Sequence, residues 1–235
     1  MLSGSLVPRL PLVLRAVLFD IDGTLVDTVD MHAEAWQRAF AEFGKEVAFA
    51  DVRGQIGKGG DQLLPVFLTK AERADFGEKL EKWRGDLYLR EYLPRAQAFP
   101  KVRELFERLR GDGVKLALAS SCKEPELDTY KALCRIEDLI EEATTSEDAE
   151  RTKPHPDVFE AALEGLGKVP ARDVLVVGDS PYDAMAAKKI DLGAIGVLCG
   201  GFPAAELMEA GYSAVYGAPA DLLERYDEWA RPKRA

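Results

Sequence analysis

Short runs of branched apolar residues alternate with helical patterns along most of the chain. The first run, Leu12 to Phe19, is almost continuously apolar, which is typical of a central strand covered on both faces. Such alternation predicts parallel β-α-β winding, and therefore an α/β fold with a Rossmann-like, doubly wound parallel sheet. The later predicted strands are Lys115 to Ala119, Ile140 to Thr144, Val174 to Val177, Ala194 to Leu198 and, at an edge, Ala214 to Tyr216.

A long interval without a strong strand pattern follows the first strand. Apolar residues at helical spacing predict a helix that ends at Phe43 and begins at Asp27 or Thr28, either of which can cap it. Helical periods continue over Leu63 to Leu68 and Phe76 to Leu93. We therefore expect this interval to fold as a small bundle of helices.

The first strand belongs to the same sheet as the later strands, although the helical interval separates them. This order predicts an insertion: residues 12–26 and 95–235 form the core, and residues 27–94 form an inserted α-helical cap. Ligands of such sheets bind at the carboxyl ends of the strands. We expect one active crevice between core and cap.

The amino-acid composition disfavours some classes of binding partner. The chain has 235 residues, 47% of them hydrophobic, so it can bury a substantial core. Its net charge of −10 disfavours nonspecific nucleic-acid binding, which depends on a surplus of lysine and arginine. No apolar stretch approaches the roughly 20 residues that span a bilayer. A small molecule is the expected partner, and the chain is expected to be a monomer or homodimer.

The cysteines and the first residues of the chain indicate the cellular compartment in which the protein is expected. Cys122, Cys134 and Cys199 form no C-x-x-C pair, and an odd number is a poor disulfide framework. A reducing cytoplasm is the expected location. Met1 to Pro11 lacks the features of a signal peptide, so we interpret it as a loose extension. Its segment Leu6 to Arg9 is reminiscent of a protease site in expression tags.

Two aspartates separated by one residue end the first strand. Alternate residues at a strand end point the same way, so Asp20 and Asp22 can converge while Ile21 turns into the core. Asp22-Gly23 could mark only a turn. A turn does not require the second carboxylate of Asp20 at the end of a buried strand, where unpaired charge is costly. The pair is typical of a phosphoryl-transfer nucleophile with an acid/base partner.

Four segments, each at a strand end or helix start, resemble the motifs of the haloacid dehalogenase superfamily of aspartate-nucleophile phosphotransferases. The segment from Asp20 matches the D-x-D-G-T motif, and the branch of phosphoglycolate phosphatases and β-phosphoglucomutases is the most similar. The four segments, which follow the family's order, are Asp20 to Thr24, Val114 to Ser121, Thr152 to Asp157 and Val174 to Asp183.

The resemblance implies a two-step reaction. Asp20 attacks phosphorus and forms an aspartyl-phosphate. Asp22 first protonates the leaving alcohol and later accepts a proton from the hydrolytic water. This cycle requires Asp22 to hold a proton at first, and we expect burial and the neighbouring anion to favour that protonated state.

Converging carboxylates repel a dianionic phosphate unless a cation intervenes, and oxygen ligands suit magnesium. Mg²⁺ is therefore the expected cofactor. By resemblance, its ligands are the Asp20 carboxylate, the Asp22 backbone carbonyl and Asp179, with Asp183 supporting through water or a hydrogen bond. Asp183 could instead cap the helix that follows it, or do both.

Phosphate contacts are expected at two other segments. By resemblance, Ser120 donates a hydrogen bond to phosphate, and Lys153 pairs with both phosphate and the nucleophilic carboxylate. Ser121 and Lys123 are weaker candidates for the same role. In the alternative reading, the serines are loop or capping residues and Lys153 is a solvated surface lysine.

The predicted cap offers two candidates for substrate contact. The segment of His32 and Trp36 resembles the hinge region of β-phosphoglucomutase, so His32 could couple closure to proton transfer. Alternatively, His32 lies on a helix shoulder and Trp36 packs in the core. Lys58, in a glycine-rich loop, could contact an anionic substrate. The corresponding mutase loop carries arginine, which weakens a mutase assignment.

These observations predict a magnesium-dependent phosphatase that hydrolyses a small phosphorylated metabolite. A sugar-phosphate mutase with the same nucleophile is the nearest alternative. A dehalogenase is disfavoured because its site resembles one without the second aspartate, and Asp22 is present. A regulator that only binds metabolite or protein would not need the complete set of motifs.

Overall fold

A single parallel sheet forms the centre of the protein in the computed structural model, which describes residues 13–230. All neighbouring strands pair in parallel, in the order β3-β2-β1-β4-β5-β6. This confirms the predicted α/β class. The strands are β1 (Ala16–Phe19), β2 (Lys115–Ala119), β3 (Glu142–Thr144), β4 (Val174–Gly178), β5 (Gly193–Val197) and β6 (Val215–Tyr216).

Strand β1 is shorter than predicted. Leu12, the predicted start, lies outside the described residues, and the observed strand begins at Ala16. Ala16 pairs with Lys115 of β2 and Val174 of β4, which are the first residues of those strands. The ladder therefore begins where both neighbours begin, whereas the apolar run alone suggested a longer strand.

Helices cover both faces of the sheet. In β1, Val17 and Phe19 pack on one face, where the ring of Phe19 stacks on Phe106, and Ala16 and Leu18 pack on the other. This alternation gives the doubly wound arrangement. The helices after β1's insertion are α6 (Val102–Gly111), α7 (Glu124–Cys134), α8 (Asp157–Leu166), α9 (Pro181–Lys189), α10 (Ala204–Ala210), α11 (Pro219–Glu224) and α12 (Tyr226–Trp229).

A helical insertion, residues 29–95, follows β1. Its short helix α2 was not predicted because a helix of five residues shows too little periodicity. The insertion contains α1 (Val29–Glu42), α2 (Phe49–Arg53), α3 (Gly60–Phe67), α4 (Lys70–Glu72) and α5 (Glu78–Leu87), with π-helical turns at Arg73–Gly77 and Tyr88–Tyr92 and a 3₁₀ turn at Leu93–Arg95.

The insertion has an apolar cluster of its own, which includes Phe40, Val52 and Leu80. The two segments that connect the insertion to the core lie beside each other. The amide of Asp27 in the first segment donates a hydrogen bond to the carbonyl of Gln97 in the second, at 2.9 Å. The division into a core and a cap of residues 27–94 stays a prediction.

The start of α1 differs from expectation. Thr28 precedes the helix, but its hydroxyl makes no capping hydrogen bond and instead donates to Asp22 at 2.6 Å. The predicted cap is therefore wrong for Thr28, because its side chain serves the end of β1. The hydrogen bond from Thr28 to Asp22 connects the start of the insertion to the carboxyl edge of the sheet.

Among residues 13–230, no helix combines the length and the apolar character that crossing a bilayer requires.

Candidate active site

The turn after β1 brings Asp20 to the carboxyl edge of the sheet. The amide of Asp20 donates to the carbonyl of Val177 in β4 at 2.9 Å, which fixes the backbone beside that strand. Gly23 has φ of +84°, and a Cβ there would lie 2.4 Å from Asp179 Oδ2. A side chain at position 23 is therefore excluded by both the backbone and the neighbouring acid.

Lys153 joins two carboxylates of the site. Its Nζ lies 2.5 Å from Asp20 Oδ1 and 2.7 Å from Asp183 Oδ1, and the lysine is 0% exposed. Burial acts to lower the pKa of Lys153, but the two carboxylates outweigh it and raise the pKa. The alternative of a solvated surface lysine is wrong, because the side chain is completely enclosed.

A cluster of three buried carboxylates surrounds this lysine. One oxygen from each of Asp20, Asp179 and Asp183 lies within 4.8 Å of the others. Thr24 Oγ1 is 3.1 Å from both Asp20 Oδ2 and Asp179 Oδ1, so its hydroxyl can donate to either acid. Two segments distant in sequence, residues 20–24 and 179–183, thus converge on one point at the edge of the sheet.

The three acids carry more negative charge than Lys153 neutralises. Burial raises the pKa of Asp20 to about 7, although Lys153 opposes this shift, and burial raises the pKa of Asp179 well above its ordinary range, with Asp20 and Asp183 adding to it. A buried group of oxygen donors with excess negative charge fits a hard divalent cation such as Mg²⁺. The side chain of Asp22 is not part of this cluster.

Asp22 faces the helical insertion instead. Its Oδ1 accepts a hydrogen bond from Thr28 and lies 2.8 Å from His32 Nε2. Burial raises the pKa of Asp22, but His32, with hydrogen bonds from Thr28 and Tyr130, outweighs it and lowers the pKa to about 2. The expectation that burial and a neighbouring anion keep a proton on Asp22 is therefore wrong in this arrangement, because His32 stabilises the carboxylate.

The orientation of His32 follows from its other ring nitrogen. Nδ1 contacts Arg84, and because a guanidinium can only donate, Nδ1 accepts and Nε2 carries the hydrogen directed at Asp22. The ring stacks on Tyr88 with centroids 4.0 Å apart, and Tyr130 Oη lies 3.4 Å from Nε2. Of the two readings of His32, the structure shows contact with the site rather than an unpartnered helix shoulder.

Three predicted phosphate-binding residues, Ser120, Ser121 and Lys123, lie around one cavity of about 260 Å³, which Asp20 and Asp22 also line but Lys153 does not. Ser120 is buried, and its Oγ accepts the amide hydrogen of Cys122 at 3.1 Å, which leaves its own hydroxyl hydrogen available. Ser121 and Lys123 line the same cavity.

Lys58 reaches the cavity from the insertion. Its Nζ donates to Gln55 Oε1 at 2.5 Å and lies 4.6 Å from the ring centre of Tyr182, and burial lowers its pKa. The lysine is thus already engaged on one side. Trp36 lines the cavity too, and it packs in the apolar cluster of the insertion, as the structural reading predicted.

Asp183 caps the start of α9, the helix in which it lies, and also faces the acidic cluster. Its Oδ2 accepts hydrogen bonds from the amide of Ser180 at 3.2 Å and the hydroxyl of Ser180 at 2.7 Å, which caps α9. Its Oδ1 pairs with Lys153. Helix capping therefore holds the carboxylate in the cluster rather than competing with that position.

Several residues of the site were not predicted. Thr24 bridges two of the acids, and Asp61 of α3 accepts hydrogen bonds from the amide and hydroxyl of Thr152, the residue before Lys153. Glu126 lines the cavity and is only 2% exposed. The sequence did contain a signal for Glu126. This residue lies on the same face of α7 as the buried Tyr130, four residues further on, and a charged residue is unexpected on a buried face.

The family model of haloacid dehalogenase-like hydrolases matches residues 17–197. The chain belongs to this family. The match confirms the prediction of a hydrolase of this kind, and the relatives below confirm the resemblance to the branch of phosphoglycolate phosphatases and β-phosphoglucomutases.

Three similar proteins extend the match. A phosphorylated carbohydrates phosphatase of Thermotoga maritima is 30% identical over 213 residues, covering 89% of this chain and 97% of that protein. A phosphoglycolate phosphatase of Nitrosospira multiformis is 31% identical over 183 residues, covering 76% and 80%. The crystal structure of a Pseudomonas syringae hydrolase has a TM-score of 0.84 at 30% identity, covering 92% and 99%.

The chain also matches part of a much longer protein. It is 32% identical over 186 residues to the Arabidopsis thaliana protein SUPPRESSOR OF QUENCHING 1, chloroplastic, and this match spans 77% of the chain but 18% of the relative. The family's domain therefore occurs both alone and within a larger polypeptide.

Mg²⁺ is expected to stabilise the folded protein through the carboxylate cluster. Ligand at a hundred times its Kd adds about 2.7 kcal/mol of stability. Asp179→Asn should raise the unfolding temperature in EDTA, because it removes a buried charge from the repelling group, and should reduce the shift that Mg²⁺ causes. Thermal unfolding with EDTA and with Mg²⁺ measures both effects.

Asp227→Asn is the matched control, since Asp227 is exposed on α12. It should keep the full Mg²⁺ shift. An Asp179→Asn protein that responds to Mg²⁺ as strongly as the wild type would contradict the assignment of the cluster as the metal site.

Proposed function

We propose that this protein is a magnesium-dependent phosphatase that hydrolyses a small phosphorylated metabolite through an aspartyl-phosphate on Asp20. The observation that carries the proposal is the buried Asp20 carboxylate at a strand end, held by Lys153 within the acidic cluster. Family membership supports it, and so do the relatives named as phosphatases of phosphorylated carbohydrates and of phosphoglycolate.

In the first step, an oxygen of Asp20 attacks phosphorus. The bond from phosphorus to the ester oxygen breaks, the new bond to Asp20 forms, and the leaving oxygen takes a proton. Lys153 holds Asp20 through Oδ1, while Thr24 contacts Oδ2, so the carboxylate is oriented before substrate arrives. In the second step water attacks the acyl-phosphate, which releases inorganic phosphate and restores the carboxylate.

The residues present suit a magnesium ion. Asp20, Asp179 and Asp183, with the backbone carbonyl of Asp22, would hold it. When bound, Mg²⁺ supplies positive charge that offsets the charge of the phosphate and of the three acids. Lys153 supplies a further fixed positive charge beside Asp20.

Asp22 carries out the proton transfers in this proposal, and His32 positions it. Asp22 is ionised when His32 Nε2 donates to it, so it is ready to accept the proton of the hydrolytic water. For the first step, the leaving oxygen receives its proton from Asp22, which takes that proton up from solvent beforehand. His32 orients the Asp22 carboxyl group but does not supply the proton, because its Nδ1 accepts from Arg84 and loss of the Nε2 hydrogen would leave an imidazolate. Arg84 holds the ring in the required orientation from the other side.

The phosphate would be bound by Ser120, with Ser121 and Lys123 close by along the same cavity. Hydroxyl, amide and ammonium donors in that position stabilise the charge on the transferring group. The helical insertion would act as a cap, since it supplies His32 and Lys58 to the cavity. Closing it would exclude water during the first step.

A sugar-phosphate mutase is the second candidate, because Lys58 lines the same cavity as Asp20 and could contact a second phosphate. It would use the same Asp20 and Asp22 but return the phosphoryl group to a sugar. Such an enzyme needs a bisphosphate activator and forms an isomer without net release of phosphate. The hydrogen bond of Lys58 to Gln55 weakens this alternative, because it engages the cation that a second phosphate would need.

Asp20→Asn is expected to lower phosphate release from p-nitrophenyl phosphate by roughly a thousandfold or more, because the amide is a poor nucleophile. The wild-type activity should require Mg²⁺. Asp27→Asn is the control, since Asp27 is exposed in the same segment. Equal activity of wild type and Asp20→Asn would disprove the proposed function.

Asp22→Asn should fold normally and turn over slowly, by about a hundred- to ten-thousandfold, because it removes the acid/base group. The loss should be larger for an alkyl phosphate than for p-nitrophenyl phosphate, whose leaving group needs less help from an acid. Steady-state rates on both substrates measure the effect. Unchanged rates, or equal losses on the two substrates, would contradict the role of Asp22 as the acid.

A further inference from the structure

The cavity is lined by several polar side-chain atoms that have no hydrogen-bond partner among the described residues. Three buried side-chain atoms without a hydrogen-bond partner, Arg84 Nε, Ser121 Oγ and Glu126 Oε2, belong to residues that line it. Burying an unpaired polar group is unfavourable, and the great majority of such groups in native proteins are satisfied. Their concentration around one cavity points to a ligand with complementary polar groups.

Glu126 is the most informative of the three residues. It lies on α7 among apolar residues, and its closest cation is Arg84, whose Nη1 is 3.8 Å from Glu126 Oε1. That distance exceeds a direct hydrogen bond. The carboxylate is therefore attracted by Arg84 without being satisfied by it, and it retains capacity to accept a hydrogen bond.

Arg84 is held in place by its surroundings. Its guanidinium lies 5.1 Å from the ring centres of both Trp36 and Tyr88, and it contacts His32 Nδ1. Its Nε hydrogen remains available. A fixed donor and a buried acceptor thus stand beside each other on the cavity wall.

A hydroxyl group satisfies both partners at once, because it donates to Glu126 and accepts from Arg84. A simple alkyl group satisfies neither. A carboxylate would be attracted by Arg84, but it could not donate a hydrogen bond to Glu126 and would lie against a second buried acid.

The other charges of the cavity oppose a second anionic group. Asp61, Glu81 and Glu150 line it as well. Of the lysines, Lys58 already donates to Gln55, and Lys123 lies 3.9 Å from Glu81. Beyond the position of the reacting phosphate, the wall therefore favours neutral polar groups over anions.

We propose that Glu126 and Arg84 select a substrate whose leaving group carries hydroxyl groups. This names polyol or sugar monophosphates as the substrate class, in preference to phosphate esters that end in a carboxylate or a second phosphate. The inference rests on the proposed phosphatase function and specifies which alcohol the enzyme releases.

Paired substrates of equal carbon number test the inference. The wild-type enzyme should have a higher kcat/KM for glycerol 3-phosphate than for propyl phosphate, or for sorbitol 6-phosphate than for hexyl phosphate, by about ten- to a hundredfold, the effect of a hydrogen bond to a charged group. It should also prefer the hydroxylated substrates to phosphoglycolate. In the Glu126→Gln variant, kcat/KM for the hydroxylated substrate and kcat/KM for the alkyl phosphate of each pair should differ by no more than about threefold.

Glu124→Gln is the matched control, because Glu124 is exposed on the same helix and does not line the cavity. It should leave the ratios unchanged. Glu126→Asp, which retracts the same charge by one methylene, gives a second measurement if the glutamine variant does not fold. It should also lower the ratios.

Two results would overturn the inference while leaving the proposed function intact. One is a wild-type enzyme that hydrolyses alkyl phosphates or phosphoglycolate as well as the hydroxylated substrates. The other is an equal loss on both members of each pair in the Glu126 variants, which would show a structural role only. A wild-type protein that releases no phosphate from these substrates or from p-nitrophenyl phosphate would disprove the phosphatase function itself, and the inference with it.

Discussion

The ion pairs of buried Lys153 with Asp20 and Asp183 are the constraint on which the rest of the site depends. They join the end of β1, the start of α9 and the loop before α8, three segments far apart in the sequence. Removing one partner from a buried pair of this kind typically destabilises a protein by about 3–5 kcal/mol. The same contacts orient the carboxylate that we propose as the nucleophile, so folding and chemistry depend on one set of bonds.

Excess charge distinguishes this cluster from a purely structural ion pair. Three acids surround a single buried ammonium in the cluster, which leaves a site suited to a divalent cation. Asp22 stands apart, paired with His32 of the helical insertion. Asp20 is therefore oriented by a residue of the core, whereas Asp22 is oriented by a residue of the insertion. This separation gives a physical route by which movement of the insertion would alter the proton transfers without disturbing the nucleophile.

The sheet and the clustered acids could be predicted because apolar runs that end in carboxylates carry strong local signals. The strand positions, the strand end at Asp20 and the helix that contains Asp183 follow from such patterns. The proton state of Asp22 could not be predicted, since it depends on contacts with His32 and Thr28 that only the folded structure shows. Arg84 contacts His32 from α5 in the same way. Short helices such as α2 and α10 were missed because they show too little periodicity.

The most direct test of the account is to identify the group that carries the phosphoryl. The protein can be quenched in acid during turnover of p-nitrophenyl phosphate with Mg²⁺, digested, and analysed by mass spectrometry. The account predicts a phosphorylated peptide that contains Asp20, with fragment ions that place the phosphate on that residue. Phosphate found on another residue, or an Asp22→Asn enzyme that releases phosphate without any labelled Asp20, would contradict it.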